Sequence, residues 1–309
     1  MAGEKSKSSG EYGERIVSNF YKLIGWNSVE ENVTIDCVND KHKRKSYTHG
    51  IDGYYGYYGY KSELLKSHTQ EDILISVKHT TNKYPSNPTS KLKLYLKDLS
   101  EGMHCFPLDE NYVSRKISGI QERKTSGVIF WISKTEEDNR DIIKDIWNFN
   151  NTDKIDYGPI YLVDNNKLNF LFKSINYAKQ NFDDYNFEYH FTGFNHTNPA
   201  ESRSYGKVLP VQLITTNILP IRAKKEGQEF LSIFINEAFT EESLKKTMGF
   251  AKMLANSWPA KTVILYPDYN HLDFSNVTEK VKTIFNDNEF IKTVEVRSFK
   301  DDIASLGRE

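Results

Sequence analysis

The apolar positions at the start of the chain change period from helix to strand. In "GEYGERIVSNFYKLIGW", Ile16, Val17, Phe20, Leu23 and Ile24 recur at helical spacing, and Gly25 follows as a C-cap. "ENVTIDCV" then alternates apolar and polar residues, as a half-buried strand does. A second strand is expected around "YTHGIDGYYGY" and a third at "DILISVKHT". The opening outline is a helix followed by three strands.

Further along, "SKLKLYLKDLSEGMHCF" predicts a helix and "GVIFWISK" is a continuous apolar run that suits a buried strand. "RDIIKDIWNF" (helix), "PIYLVD" (strand) and "NKLNFLFKSINYAKQNF" (helix) follow. This alternation predicts an α/β domain, a mixed sheet flanked by helices. Residues 192–206, "TGFNHTNPAESRSYG", lack periodicity and are rich in Gly, Asn, Ser and Pro, so a boundary is expected there, between domains at 1–195 and 205–309. The second, smaller α/β domain reads as three strands, "EFLSIFIN", "KTVILYPDY" and "TVEVRSF". Two helices separate them, the first opened by Thr240 as N-cap. Before them, the proline-punctuated stretch from Tyr205 to Lys225 is expected to be a docking segment of an interaction or regulatory module.

Composition narrows the function classes. With 309 residues, 38% hydrophobic and 27% charged, the chain has the makeup of a soluble globular protein, although its mean hydropathy of −0.63 is rather polar. No apolar run approaches the ~18 residues of a bilayer span, and "MAGEKSKSSGEYGE" carries no signal-peptide core, so a cytoplasmic location is expected. A net charge of −1 excludes a global electrostatic footprint for nucleic acid. Binding would need a local patch, such as "KHKRK" at 41–45 or the lysines of "KHTTNKYPSNPTSKLKLYLK". The only cysteines, Cys37 and Cys105, lie far apart in no Cys/His grouping, and the histidines are scattered without ligand spacing. Neither a disulfide nor a structural zinc site is expected, and both cysteines read as ordinary thiols.

Three short motifs carry the chemistry: "GEYGE" opening the first helix, "GID" on the second strand and "SVK" on the third. In this order they resemble the PD-(D/E)xK nuclease superfamily, in particular its Holliday-junction-resolvase-like and Mrr-like branches. The resemblance covers roughly the first eighty residues and implies a restriction-endonuclease-like fold. Carried over by position, it makes Glu14 the helix glutamate, preferred over Glu11, Asp52 the metal-binding aspartate, Ser76 the first position of the third motif and Lys78 its lysine. Ser76 departs from the pattern, since an acid or glutamine usually stands there, and this leaves Asp52 and Glu14 as the metal carboxylates. A hard divalent cation, Mg²⁺ or else Mn²⁺, would neutralise phosphate charge and activate water. Residues 76 and 78 share one face of their strand, opposite Val77 and His79.

The expected substrate is DNA, cut by phosphodiester hydrolysis, with Lys83, Lys91 and Lys93 as candidate backbone contacts. In the run "GYYGYYGY", Tyr54 and Tyr57 are candidate base-stacking residues, with cross-strand packing as the favoured reading. A nuclease of this kind joined to an α/β module resembles the nuclease subunits of multi-component anti-phage systems. The resemblance implies control by a protein partner and allows a homo-oligomer. The reading from a different class is a catalytically inactive DNA-binding or scaffold subunit, in which Ser76 marks a degenerate site.

Overall fold

The computed structural model describes residues 2–42, 47–59, 68–134, 140–146, 149, 158–182, 186–190, 205–255 and 258–299. The chain divides into two units, one of residues 1–168 with 209–215 and the other of 169–208 with 216–309. The stretch 192–204, most of the segment read as a boundary, lies outside the described residues, as do 43–46 of the basic "KHKRK" run.

The first unit is built on a five-stranded sheet in the order β1-β2-β3-β4-β5. Its strands are β1 (Glu30–Asp36), β2 (Thr48–Tyr58), β3 (His68–Thr80), β4 (Ile120–Ser133) and β5 (Ile160–Val163). β1, β2 and β3 form an antiparallel meander, whereas β4 and β5 add in parallel, which makes the sheet mixed. Helix α1 (Ala2–Leu23) begins well before Gly10, running through the Lys/Ser-rich start that sequence periodicity leaves out. It ends as expected: Gly25 takes φ +78° and the Trp26 N–H closes the turn on the Tyr21 carbonyl at 2.9 Å. α2 (Thr89–Cys105) is the helix predicted from "SKLKLYLKDLSEGMHCF", while the described residues of "RDIIKDIWNF" hold the single turn α3 (Ile142–Asp145).

The two helices cover opposite faces of this sheet. Phe20 and Tyr21 of α1 meet Phe130 of β4 edge to face, while Leu92, Leu99 and Met103 of α2 cluster with Leu74, Ile129 and Trp131. Strand alternation therefore assigns Ile73, Ile75 and Val77 to the α1 side and Leu74, Ser76 and Lys78 to the α2 side. Residues 209–215 complete the unit, with the Trp26 indole N–H on the Leu209 carbonyl at 2.8 Å and the Leu209 N–H on the Ile24 carbonyl at 2.9 Å.

The second unit holds a six-stranded sheet in the order β11-β10-β9-β8-β6-β7. Its strands are β6 (Phe187–His190), β7 (Tyr205–Gly206), β8 (Ile218–Lys225), β9 (Gln228–Ile235), β10 (Lys261–Tyr266) and β11 (Val294–Ser298). Helix α4 (Asn165–Asn181) enters this unit from Asn169, followed by α5 (Glu241–Ala255), α6 (His271–Lys282) and α7 (Asn288–Thr293). Thr240 caps α5 as predicted, its hydroxyl accepting from the Ser243 N–H at 3.0 Å.

The expectation of three strands is corrected here. The last part of the anticipated docking segment is β8, an inner strand hydrogen-bonded to both β9 and β6. Pro220 argues against such a strand in the sequence, yet it sits one residue outside the Ile221–Ala223 stretch that pairs with β6, so its missing N–H breaks no bond on that side.

Candidate active site

β2 departs from strict alternation where the motif aspartate sits. Ile51 and Tyr54 both pack with α2, whereas Gly53, between them, faces Ile75 on the other side. Residues of one face should be two apart, so the strand gains a step at Asp52 and Gly53. The regular pairing of β2 with β3 ends at Gly53 opposite Ile75. Beyond that point the Asp52 carboxylate replaces the backbone as partner of β3: its Oδ2 accepts the Val77 N–H at 2.6 Å and the Ser76 hydroxyl at 3.3 Å. Both bonds fall on Oδ2, which leaves Oδ1 as the atom Asp52 can offer a cation.

Ser76 is buried and directed at Asp52, so it orients the aspartate instead of supplying a second anionic ligand. Lys78, two residues on, is half-buried with its Nζ 5.7 Å from the centre of the Tyr95 ring on α2. Tyr95 thus lies beside the Lys78 ammonium.

Glu14 approaches from the other face. α1 crosses β3 at Gly13, where a side chain would begin 2.6 Å from the His79 Cβ, so only glycine permits the helix this close. Tyr12 meets the His79 ring edge to face at 5.3 Å, which places His79 against the flanking helix. Glu14 itself is exposed. Its charge, with those of Asp52 and Glu31, acts on the Tyr21 phenol, whose pKa is driven far above its ordinary value, first by burial and then by these three carboxylates. Glu31 on β1, paired beside Gly53, is thus a third acid at the site, one that no motif singled out.

These carboxylates do not close into a cage; among the described residues, no three of them bring ligand atoms within 4.8 Å of one another. That open arrangement suits Mg²⁺, which dehydrates reluctantly and is held through one or two carboxylates, water and substrate phosphate. Asp52 Oδ1, with Glu14 or Glu31, fits such a role.

Two further cations border this end of the sheet. The Arg15 guanidinium and the Lys134 ammonium each lie 5.9 Å from the Tyr12 ring centre, and Lys134 directly follows β4. Neither appeared as a candidate, because they stand more than a hundred residues apart in the sequence. Lys83, Lys91 and Lys93 are exposed, with the Lys93 Nζ 5.9 Å from the Phe149 ring centre.

The tyrosine candidates are corrected. Tyr54 is 7% and Tyr57 6% exposed, so neither ring can stack on a base. The Tyr54 hydroxyl donates to Asp72 at 2.7 Å, and that of Tyr57 accepts the Val211 N–H at 3.1 Å. Tyr55 stacks between Trp26 and Tyr57, at 5.4 and 5.6 Å. Tyr54, Tyr55 and Tyr57 are core, because regular strand alternation after Gly53 sends them under both helix layers, whereas Tyr58 is exposed.

The reading of the cysteines as isolated thiols is also corrected. Cys37, His42, His49 and Cys105 converge, with one ligand atom from each inside a span of 4.8 Å.

Comparison with known proteins agrees with this geometry. No curated protein matches the chain, and no solved structure does. A family model described as the GAPS4 protein PD-(D/E)XK nuclease domain matches residues 1–167, which takes in α1, the five-stranded sheet and all four motif positions. The chain therefore belongs to the GAPS4 family of PD-(D/E)XK nucleases, a family of anti-phage defence.

Proposed function

We propose that this chain is a Mg²⁺-dependent endodeoxyribonuclease and the effector subunit of its defence system. The observation that carries the reading is the seating of Asp52: a carboxylate held by the Val77 N–H and Ser76, with Lys78 next on the same strand. Asp52 holds the cation and Glu14 or Glu31 assists it from the flank. When bound, the cation neutralises phosphate charge and brings water toward deprotonation near neutral pH. Lys78 meets the charge that builds on the scissile phosphate and holds a proton at Nζ for transfer. Arg15, Lys134 and Lys83 guide the DNA backbone toward these groups.

The absence of an acid at position 76 does not argue for a dead site, because Ser76 still orients Asp52 and because Glu31 supplies a carboxylate from β1. The second unit is read as an interaction or regulatory module through which a protein partner restrains cutting. The acidic balance of the whole chain supports low resting affinity for chromosomal DNA. Assembly into a homo-oligomer would bring two sites to one duplex.

The test is cleavage of supercoiled and linear DNA by the full chain with Mg²⁺ or Mn²⁺, alone and with its co-purifying partner, against Asp52→Ala and Lys78→Ala. Cleavage by the wild-type chain that disappears in both variants is the expected result. A wild-type chain inert with both metals and with its partner would favour the scaffold reading.

A further inference from the structure

The second cluster of ligating side chains lies away from the nuclease motif. Cys37 directly follows β1, His42 ends the short turn Asp40–His42, His49 is the second residue of β2 and Cys105 is the last of α2. The His42 Nδ1 lies 3.5 Å from the Cys37 Sγ and 3.6 Å from the Cys105 Sγ, and the ligand atoms of all four residues fall within 4.8 Å of one another. A zinc ion bonded at about 2.3 Å to sulfur and about 2.0 Å to nitrogen in a tetrahedron would separate sulfur from nitrogen by about 3.5 Å. The observed separations match the edges of that tetrahedron.

We propose that Cys37, His42, His49 and Cys105 form a structural zinc site that clamps the β1–β2 connection to the C-terminal end of α2. The donor set is two thiols and two imidazoles, the soft and borderline ligands that zinc takes in closed four-coordinate sites, not the carboxylate oxygens that suit Mg²⁺. Four protein ligands would fill the tetrahedron and leave no open position for substrate, which marks the site as structural; His49 and Cys105 are fully buried, Cys37 and His42 partly. The nearly equal distances from the His42 nitrogen to both sulfurs, with His49 inside the same 4.8 Å span, suit four donors around a single ion. A two-iron cluster would instead assign thiolates and imidazoles to different metals.

The site also bears on the nuclease centre. α2 packs on β2 so tightly at Gly102 that a side chain there would begin 2.8 Å from Ile51 and 3.6 Å from the His49 Cβ. His49 stands three residues before Asp52 on the same strand. The clamp therefore holds the entry of β2 in place just ahead of the step that turns Asp52 toward Val77.

The experiment is metal analysis of the full chain purified without chelators. Elemental mass spectrometry is expected to find about one zinc per chain, retained in Asp52→Ala and lost in Cys37→Ser and Cys105→Ser. Should those variants fail to fold, wild-type protein exchanged with Co²⁺ supplies the second readout: thiolate-to-cobalt charge-transfer absorption together with intense tetrahedral ligand-field bands. A wild-type chain that carries no stoichiometric zinc and develops no such bands would overturn the proposal. So would a Cys37–Cys105 disulfide found by mass mapping of the native protein. Neither readout depends on DNA cleavage, so failure here and failure of the nuclease reading remain distinguishable.

Discussion

The Asp52 carboxylate takes the backbone N–H of Val77 at 2.6 Å, one residue before Lys78. A side chain thus occupies the position where the neighbouring strand's carbonyl would complete the ladder. Asp52 and Lys78 are held in register by the same strand edge, so a shift of either strand would displace both.

The strength of that anchor predicts unequal effects at neighbouring positions. Ser76→Ala removes the longer of two hydrogen bonds on Asp52 and should slow cleavage by about tenfold or less, the equivalent of about 1.4 kcal/mol. Asp52→Asn keeps the shape but loses the anionic ligand, and should slow cleavage by at least about a hundredfold with little change in melting temperature. Single-turnover rates with Mg²⁺, alongside thermal melts, check both.

DNA affinity should depend on the cations gathered at the end of the sheet. Arg15→Ala and Lys134→Ala are each expected to reduce the slope of log affinity against log salt by about 1. Tyr57→Phe should leave that slope unchanged, since the ring is buried, while costing about 1 kcal/mol of stability through the lost Val211 contact. Fluorescence anisotropy across a salt series, with Mg²⁺ replaced by Ca²⁺, would give the slopes.

The opposite end of β3 holds a buried ion pair, Asp72 with Arg123. Asp72 is fully buried and accepts from the Arg123 Nε at 2.6 Å and Nη2 at 2.9 Å, from Tyr54 at 2.7 Å and from Gln70 at 2.7 Å. Arg123→Met would leave this carboxylate without its counter-charge and should destabilise the domain by about 3 to 5 kcal/mol. Tyr54→Phe removes one donor and should cost about 1 to 2 kcal/mol. Urea denaturation followed by tryptophan fluorescence measures both.

Mild acid should loosen the contact between α1 and β3. Burial, with the Lys134 charge added, holds the His79 imidazole below its ordinary pKa of 6.5. The unfolded chain therefore takes up the proton first as pH falls. The contribution of His79 to stability is complete above its unfolded pKa and is lost as pH falls toward the lower folded value. His79→Gln should flatten the dependence of the denaturation midpoint on pH between about 7.5 and about 5. An unchanged slope in the variant would remove His79 as its source.

Local sequence patterns carried the outline of the nuclease domain. The helical spacing of Val17, Phe20 and Ile24, the apolar run through Phe130 and the ordered motifs around Glu14, Asp52 and Lys78 are all short-range signals, and each corresponds to an observed element. A period of 3.6 or 2 is imposed by the backbone itself, so it is written within ten or so residues. Only the tertiary structure decided what depends on residues distant in the chain. The step in β2 turns Gly53 to the face opposite Ile51, and an inner strand hides behind Pro220 because its pairing with β6 begins only at the next residue. Glu31 joins the acids through strand pairing, and Cys105 comes within 3.6 Å of His42 from 63 positions away. Pairing and packing bring such groups together at a cost in loop entropy that no local pattern records, which is why two isolated cysteines in the sequence become half of a metal-ligand set in the fold.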